Sequence, residues 1–179
     1  MNIIRGLSLT TWFEFDFLRR CIRRLFRGDQ HHSVCDAEYN NGLVITGIDG
    51  IVKEVQWCRL VAERYHCPSN RCPLIVYLDD GVELDDSTFQ SPDAMRALGA
   101  KMAQGPKTDK GQNMSFAEFR TRDYFVATSY ADDVLDVVEL HVLQDATGTL
   151  RFSVDGRTFE LPISQESLFE ILGPPAVVE

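Results

Sequence analysis

From Ser115 to Leu161 apolar and polar residues alternate through five short runs broken by turn residues. Alternation of this kind sends successive side chains to opposite faces of a strand, so no other feature constrains the fold as strongly. The runs fall at about 115–121, 123–129, 135–143, 149–154 and 157–161, with turns at Asp145–Gly148 and Asp155-Gly156. A two-residue Asp-Gly connection is a strong hairpin signal, because both positions need a positive φ that Asp and Gly tolerate. Sequential hairpins join antiparallel neighbours. The expected class is α+β: a mainly antiparallel sheet carrying a C-terminal β-meander, with helices packed on one side.

Upstream the signals are shorter. Leu43–Thr46 is a β-branched run, followed by a Gly-Ile-Asp-Gly turn at 47–50. Residues 51–65 fit two templates. Ile51, Val55, Cys58, Ala62 and Tyr65 lie on a helical stripe, while Val52–Trp57 reads as a strand edge. The preceding turn favours two strands, at about 43–48 and 51–60. Pro73–Leu78 is a near-continuous apolar run and the best strand of the first half. Asp79-Asp80-Gly81 then marks a hairpin into a short strand, Val82–Leu84. Ser91-Pro92-Asp93 opens a helix with a Ser cap, a Pro in the first turn and an acid behind it. That helix is expected to run to about Gln104, where Gly105-Pro106 stops it. A last short helix runs from Ser164 through Leu172 and ends at Gly173-Pro174-Pro175.

The N-terminus differs in character. Across Thr11–Arg27, Leu18, Cys21, Ile22, Leu25 and Phe26 follow helical spacing, and five arginines occupy the rest of the circumference. This predicts an amphipathic, Arg-rich helix. The polar stretch 29–42 reads as a linker, which divides the chain into an arm (1–28), a linker (29–42) and a single α+β body (43–179). Charge follows the same division. The chain has 18 Lys and Arg against 27 Asp and Glu, net −9. Residues 1–28 hold six Arg against Glu14 and Asp16, net +4, which leaves −13 for the remainder. An acidic body argues against nucleic acid, since phosphate binding calls for clustered cations. The arm could pack on its own body, dock in a partner's groove or lie on an anionic membrane surface.

No run reaches the ~20 apolar residues that a membrane-spanning helix needs. The stretch Trp12–Leu18 contains Glu14 and Asp16, which a secretory signal core would not tolerate. A cytoplasmic location, with five reduced cysteines, is the expectation.

Few motifs suggest catalysis. The chain has no Gly-x-Ser-x-Gly elbow, Gly-rich phosphate loop, His-Glu-x-x-His or dinucleotide fingerprint. A Cys35 or Cys67 nucleophile with His141 as base can be drawn, yet His141 sits in an apolar strand pattern, where a structural histidine is the simpler reading. His66-Cys67 and Cys72, with Cys58, His31, His32 and Cys35 elsewhere, raise zinc or a Cys67–Cys72 disulfide. The spacing lacks a second metal-binding knuckle, so two free thiols on a turn are expected, with no metal and no cofactor. Acidic clusters recur at Asp79, Asp80, Glu83, Asp85 and Asp86, and at Asp132 and Asp133, with Asp136 and Glu139 nearby. None has the spacing of a calcium loop. They can serve as docking faces for a basic protein or as solvated hairpin ends.

Asp155, Gly156, Leu161, Pro162, Leu168, Leu172, Gly173 and Pro175 punctuate the segment Val154–Pro175. This strand pair, Leu-Pro step and short helix ending in Leu-Gly-x-Pro resembles immunity-type proteins encoded beside bacterial polymorphic or secreted toxins. The likeness covers about 22 of 179 residues. It implies a protein that binds a cognate toxin and blocks it. The resulting expectation is a non-enzymatic inhibitor with a basic partner, which Asp79, Asp80, Glu83, Asp85, Asp86, Asp132 and Asp133 contact. A secretion chaperone and a zinc or thiol enzyme centred on Cys67 and Cys72 are the alternatives.

Overall fold

Runs of β-branched and aromatic residues become thirteen strands among the described residues, 34–67, 71–108 and 110–178 of a computed structural model. The expected helix 11–27 lies outside those residues. The strands are β1 (Val34–Glu38), β2 (Leu43–Ile48), β3 (Ile51–Cys58), β4 (Leu74–Tyr77), β5 (Glu83–Leu84), β6 (Lys101–Lys107) and β7 (Asn113–Arg120). They continue as β8 (Tyr124–Ala131), β9 (Val134–Val142), β10 (Leu150–Val154), β11 (Arg157–Leu161), β12 (Ile163–Ser164) and β13 (Val177–Val178). Four short helices complete the set: α1 (Arg59–Arg64), α2 (Asp86–Phe89), α3 (Pro92–Ala97) and α4 (Gln165–Leu172). The molecule is therefore mainly antiparallel sheet with short helices, as the alternation predicts.

Tight turns set the register. Asp49 and Gly50 have φ 53° and 77°, and Asp155 and Gly156 have 49° and 78°. Both pairs have the positive φ at two central residues that matches a two-residue hairpin to the twist of its strands. Asp132 and Asp133, at 49° and 62°, make the same kind of turn between β8 and β9 without a glycine.

The strands form two sheets. The larger runs β13-β1-β2-β3-β9-β8-β7-β6, with β12 also paired to β3, and the smaller runs β11-β10-β4-β5. All strand pairings among the described residues are antiparallel. The smaller sheet lies on one face of the larger, with β10 against β9 and β11 against β3. Trp57, Val126, Val138 and Leu140 from the larger sheet meet Leu74, Val76, Phe152 and Leu161 from the smaller in one buried cluster. Phe89 of α2, Met95 of α3 and Leu168 of α4 join it. The helices whose apolar residues enter this core lie on its side of the larger sheet, and removing that apolar area from water is the main stabilising term.

Three expectations change. The expected single meander divides: β7–β9 belong to the larger sheet, while β10 and β11 pair with β4 in the smaller. The connection 143–149 is longer than a tight hairpin and carries the chain across the core. The helix begun at Ser91 ends at Ala97, not near Gln104. Gly99, at φ 97°, turns the chain, and Ala100 N–H donates back to Met95 O at 3.0 Å, closing the helix one glycine earlier than expected. Lys101–Lys107 then pairs with β7 at the sheet edge, where Pro106 is tolerated. Finally, five of the fourteen residues read as a linker form β1, whose Ala37 is wholly buried opposite Ile45.

Candidate functional site

Strand alternation that buries Val55, Val138 and Leu140 must turn their neighbours to the opposite face. On β3 these are Glu54 and Gln56, and on β9 Glu139 and His141, with Glu54 opposite His141 and Gln56 opposite Glu139. On β8 the same face carries Phe125, Ala127 and Ser129, and on β7 Phe116, Glu118 and Arg120. Lys101 and Ala103 of β6 extend it to the edge. A cavity of about 340 Å³ lies on this face over β6–β9, with Phe116, Phe125, Ala127 and Val137 among its apolar walls and Lys101, Glu118, Arg120 and Glu139 among its charged ones.

The polar centre of this face is closely ordered. Gln56 Nε2 donates to Glu54 Oε1 at 2.8 Å. The other carboxylate oxygen, Glu54 Oε2, stands 3.5 Å from His141 Nδ1. The His141 ring stacks on Phe125 with centroids 5.1 Å apart and planes 6° from parallel. Arg120 covers Phe125, its guanidinium carbon 5.5 Å from the ring centroid. Glu54, at 9% exposure, and Gln56, at 6%, are both buried, which is costly for polar groups unless partners hold them. Ser129 is 3% exposed, and its hydroxyl has no hydrogen-bond partner among the described residues. The Nδ1 of His141 also has none.

The acidic residues expected to form a binding face fall into two groups. Asp79 and Asp80 occupy the turn between β4 and β5, where Asp80 Oδ1 accepts from Val82 N–H at 3.1 Å. Glu83 is exposed on β5, the edge strand of the smaller sheet. Asp85 caps α2: its Oδ1 accepts from Ser87 Oγ at 2.7 Å and from Thr88 N–H at 3.0 Å. Those bonds hold its carboxyl below the usual range, the Ser87 hydroxyl foremost. Asp86 Oδ1 accepts from Cys72 N–H at 2.8 Å and ties the β4 approach to α2. Asp132 and Asp133 sit elsewhere. Asp79 N–H donates to the hydroxyl of Tyr124, at the start of β8, at 3.3 Å, whereas Asp132 follows the end of that strand. Eight residues of strand, about 26 Å, separate the two groups.

The thiols are equally dispersed. Among the described residues, none of Cys35, Cys58, Cys67 and Cys72 joins another in a disulfide. Burial pushes the Cys72 thiol far up, so it stays protonated and a poor nucleophile. Cys35 Sγ accepts from Gln165 Nε2 at 3.0 Å. It lies opposite Gly47 on the face of β1 and β2 that carries Ala37 and Ile45, whereas His141 is on the opposite face, so the two do not form a pair.

No sequence motif marks Glu54, Gln56, Glu139 and His141 as a unit. The available signal was the i, i+2 spacing: Glu54-Val55-Gln56 and Glu139-Leu140-His141 each place polar groups around one apolar residue. Only strand pairing reveals that the two triplets lie side by side. Compared with known protein families, curated proteins and solved structures, the chain finds no match.

Proposed function

We propose that this chain is a non-enzymatic protein-binding protein, of the immunity type, that occludes the active surface of a cognate basic toxin. The observation that carries this reading is the acidity of segment 79–86, which no described cation offsets by an ion pair. Asp79, Asp80, Glu83, Asp85 and Asp86 lie within eight residues around one turn, and none forms an ion pair with a described Lys or Arg. Capping and turn bonds hold Asp80, Asp85 and Asp86 in place, so part of the cluster is preorganised for a cationic surface. Fixed charge of one sign speeds encounter with the opposite sign and does so less as salt rises. The likeness of Val154–Pro175 to immunity-type proteins supports the same reading and supplies the class of partner.

The test is a pull-down with the full chain at low and high salt, with retained proteins identified by mass spectrometry. One stoichiometric basic partner is expected, held less well when Asp79, Asp80 and Glu83 are changed to Asn, Asn and Gln. Retention of the same partner, unaffected by the triple change or by salt, would remove the acidic turn from the interface. Failure to protect a host cell from that partner's toxicity would remove the inhibitor reading.

The apolar cavity beside Phe116 and Phe125 favours a second reading, a secretion chaperone that holds an extended effector segment. Its sign would be saturable binding of an unstructured peptide, lost in Phe125→Glu.

A further inference from the structure

The geometry points to a divalent transition-metal site formed by Glu54, Glu139 and His141. This goes beyond the protein-binding reading and does not depend on it, because the three residues lie on the larger sheet and not on the 79–86 turn.

One ligating atom from each of the three residues lies within 4.8 Å of the others. The Glu54 Oε2 to His141 Nδ1 separation is 3.5 Å, and two donors so spaced, each about 2.1 Å from one ion, subtend about 110° at it. That is close to tetrahedral. Two carboxylates and one imidazole also fit the chemistry of zinc and its neighbours, whereas calcium and magnesium prefer all-oxygen sets.

The surroundings are those of a supported ligand set. Gln56 fixes Glu54 by its Oε1 and leaves Oε2 directed at His141, the kind of outer hydrogen bond that orients a metal-binding carboxylate. The near-parallel stack on Phe125 fixes the plane of the imidazole. The Nδ1 that would face the ion is inaccessible to solvent and makes no hydrogen bond to the described residues, a cost that a bound cation would remove. Three protein ligands leave a fourth position. Glu139 also lines the 340 Å³ cavity, in whose wall lies Ser129, buried with an unpartnered hydroxyl, so that position has room for water or a small anion.

The experiment uses the full chain, stripped with a chelator and titrated with zinc by calorimetry, with metal content measured after dialysis. About one zinc per chain is expected, together with a rise in melting temperature. Glu54→Gln, Glu139→Gln and His141→Asn should each weaken binding by roughly 100-fold or more, and Gln56→Leu by about 10-fold. Cobalt substituted for zinc should give visible d–d bands without a thiolate charge-transfer band. Cys67→Ser should change nothing. If one ligand variant does not fold, the zinc titration of the unaltered protein and the cobalt spectrum still decide. No stoichiometric uptake would overturn the site and leave Glu54 and His141 as a polar contact across two strands. Uptake that survives all three ligand changes, or that is lost in Cys67→Ser, would overturn it in favour of another site.

Discussion

Val55 and Leu140 face each other across β3 and β9, and one residue away on the same strands Glu54 faces His141. The first pair is 1% and 0% exposed and belongs to the core between the sheets. The second pair is only partly shielded and consists of ionisable groups, with side-chain exposures of 11% and 20%. One ladder of backbone hydrogen bonds supports both. The inner face gains from removing hydrocarbon from water, whereas the outer face holds polar groups whose burial costs free energy unless something pairs with them. A sheet of this kind can therefore keep its stability on one side and its chemistry on the other.

The largest effect should come from the inner face. Leu140→Ala is expected to lose about 2–5 kcal/mol in urea unfolding, since it removes buried methyl groups and leaves a cavity. Gln56→Leu, on the outer face, should cost less, about 1.5–3 kcal/mol, because it takes a hydrogen bond from the buried Glu54 carboxylate. Equal losses would break the comparison. A polar contact within the core comes next. Thr128 Oγ1 donates to the wholly buried Tyr130 hydroxyl at 3.0 Å, and Thr128→Val should cost about 1–3 kcal/mol by leaving that hydroxyl unsatisfied.

The acidic turn should respond to pH as well as to substitution. Asp85→Ala removes the cap of α2 and should cost about 1 kcal/mol at neutral pH. The Asp85 carboxyl is held below its ordinary value by accepting from Ser87 and Thr88. Its contribution is therefore full above the ordinary carboxylate pKa and is lost as pH falls through the lowered one. The gap between Asp85→Ala and the unaltered protein should close in acid, as thermal melts from neutral pH downward would reveal. A gap that persists in acid would mean that Asp85 acts through something other than its charge.

The smallest effect belongs to the β8–β9 turn. Asp133, at φ 62°, holds a left-handed backbone that glycine adopts more freely than aspartate, so Asp133→Gly should raise stability by less than about 1 kcal/mol. Asp132→Gly should gain less or lose, because Asp132 Oδ1 accepts from Asn113 N–H at 2.9 Å and from Asn113 Nδ2 at 3.2 Å. Parallel melts of the two variants would separate backbone strain from the side-chain bonds.

Much of the strand content is legible in the sequence because its causes are local. Alternation reveals β7, β8 and β9, and Asp-Gly pairs mark the β2–β3 and β10–β11 turns. The Ser91 and Ser164 caps locate α3 and α4, whose first-turn amides they bind. The errors also have local causes. Lys101–Lys107 carries Gly105 and Pro106, which read as a helix stop, although an edge strand needs fewer of its N–H groups and accepts both. Val34–Glu38 is short and half polar, and its pairing with β2 makes it a strand.

The candidate sites divide in the same way. The carboxylates of 79–86 are neighbours in sequence, so their clustering follows from chain connectivity. Glu54 and His141 are 87 residues apart, and no local rule predicts that β3 pairs with β9 rather than with another strand. Alternation alone determined which residues share a strand face, because the side-chain period of an extended chain is two. Which faces look inward, which strands become neighbours, and that a histidine comes to rest beside one buried and one half-buried carboxylate were decided only by tertiary structure. Strand order is the solution that buries the whole apolar set at once, and no single segment contains that information.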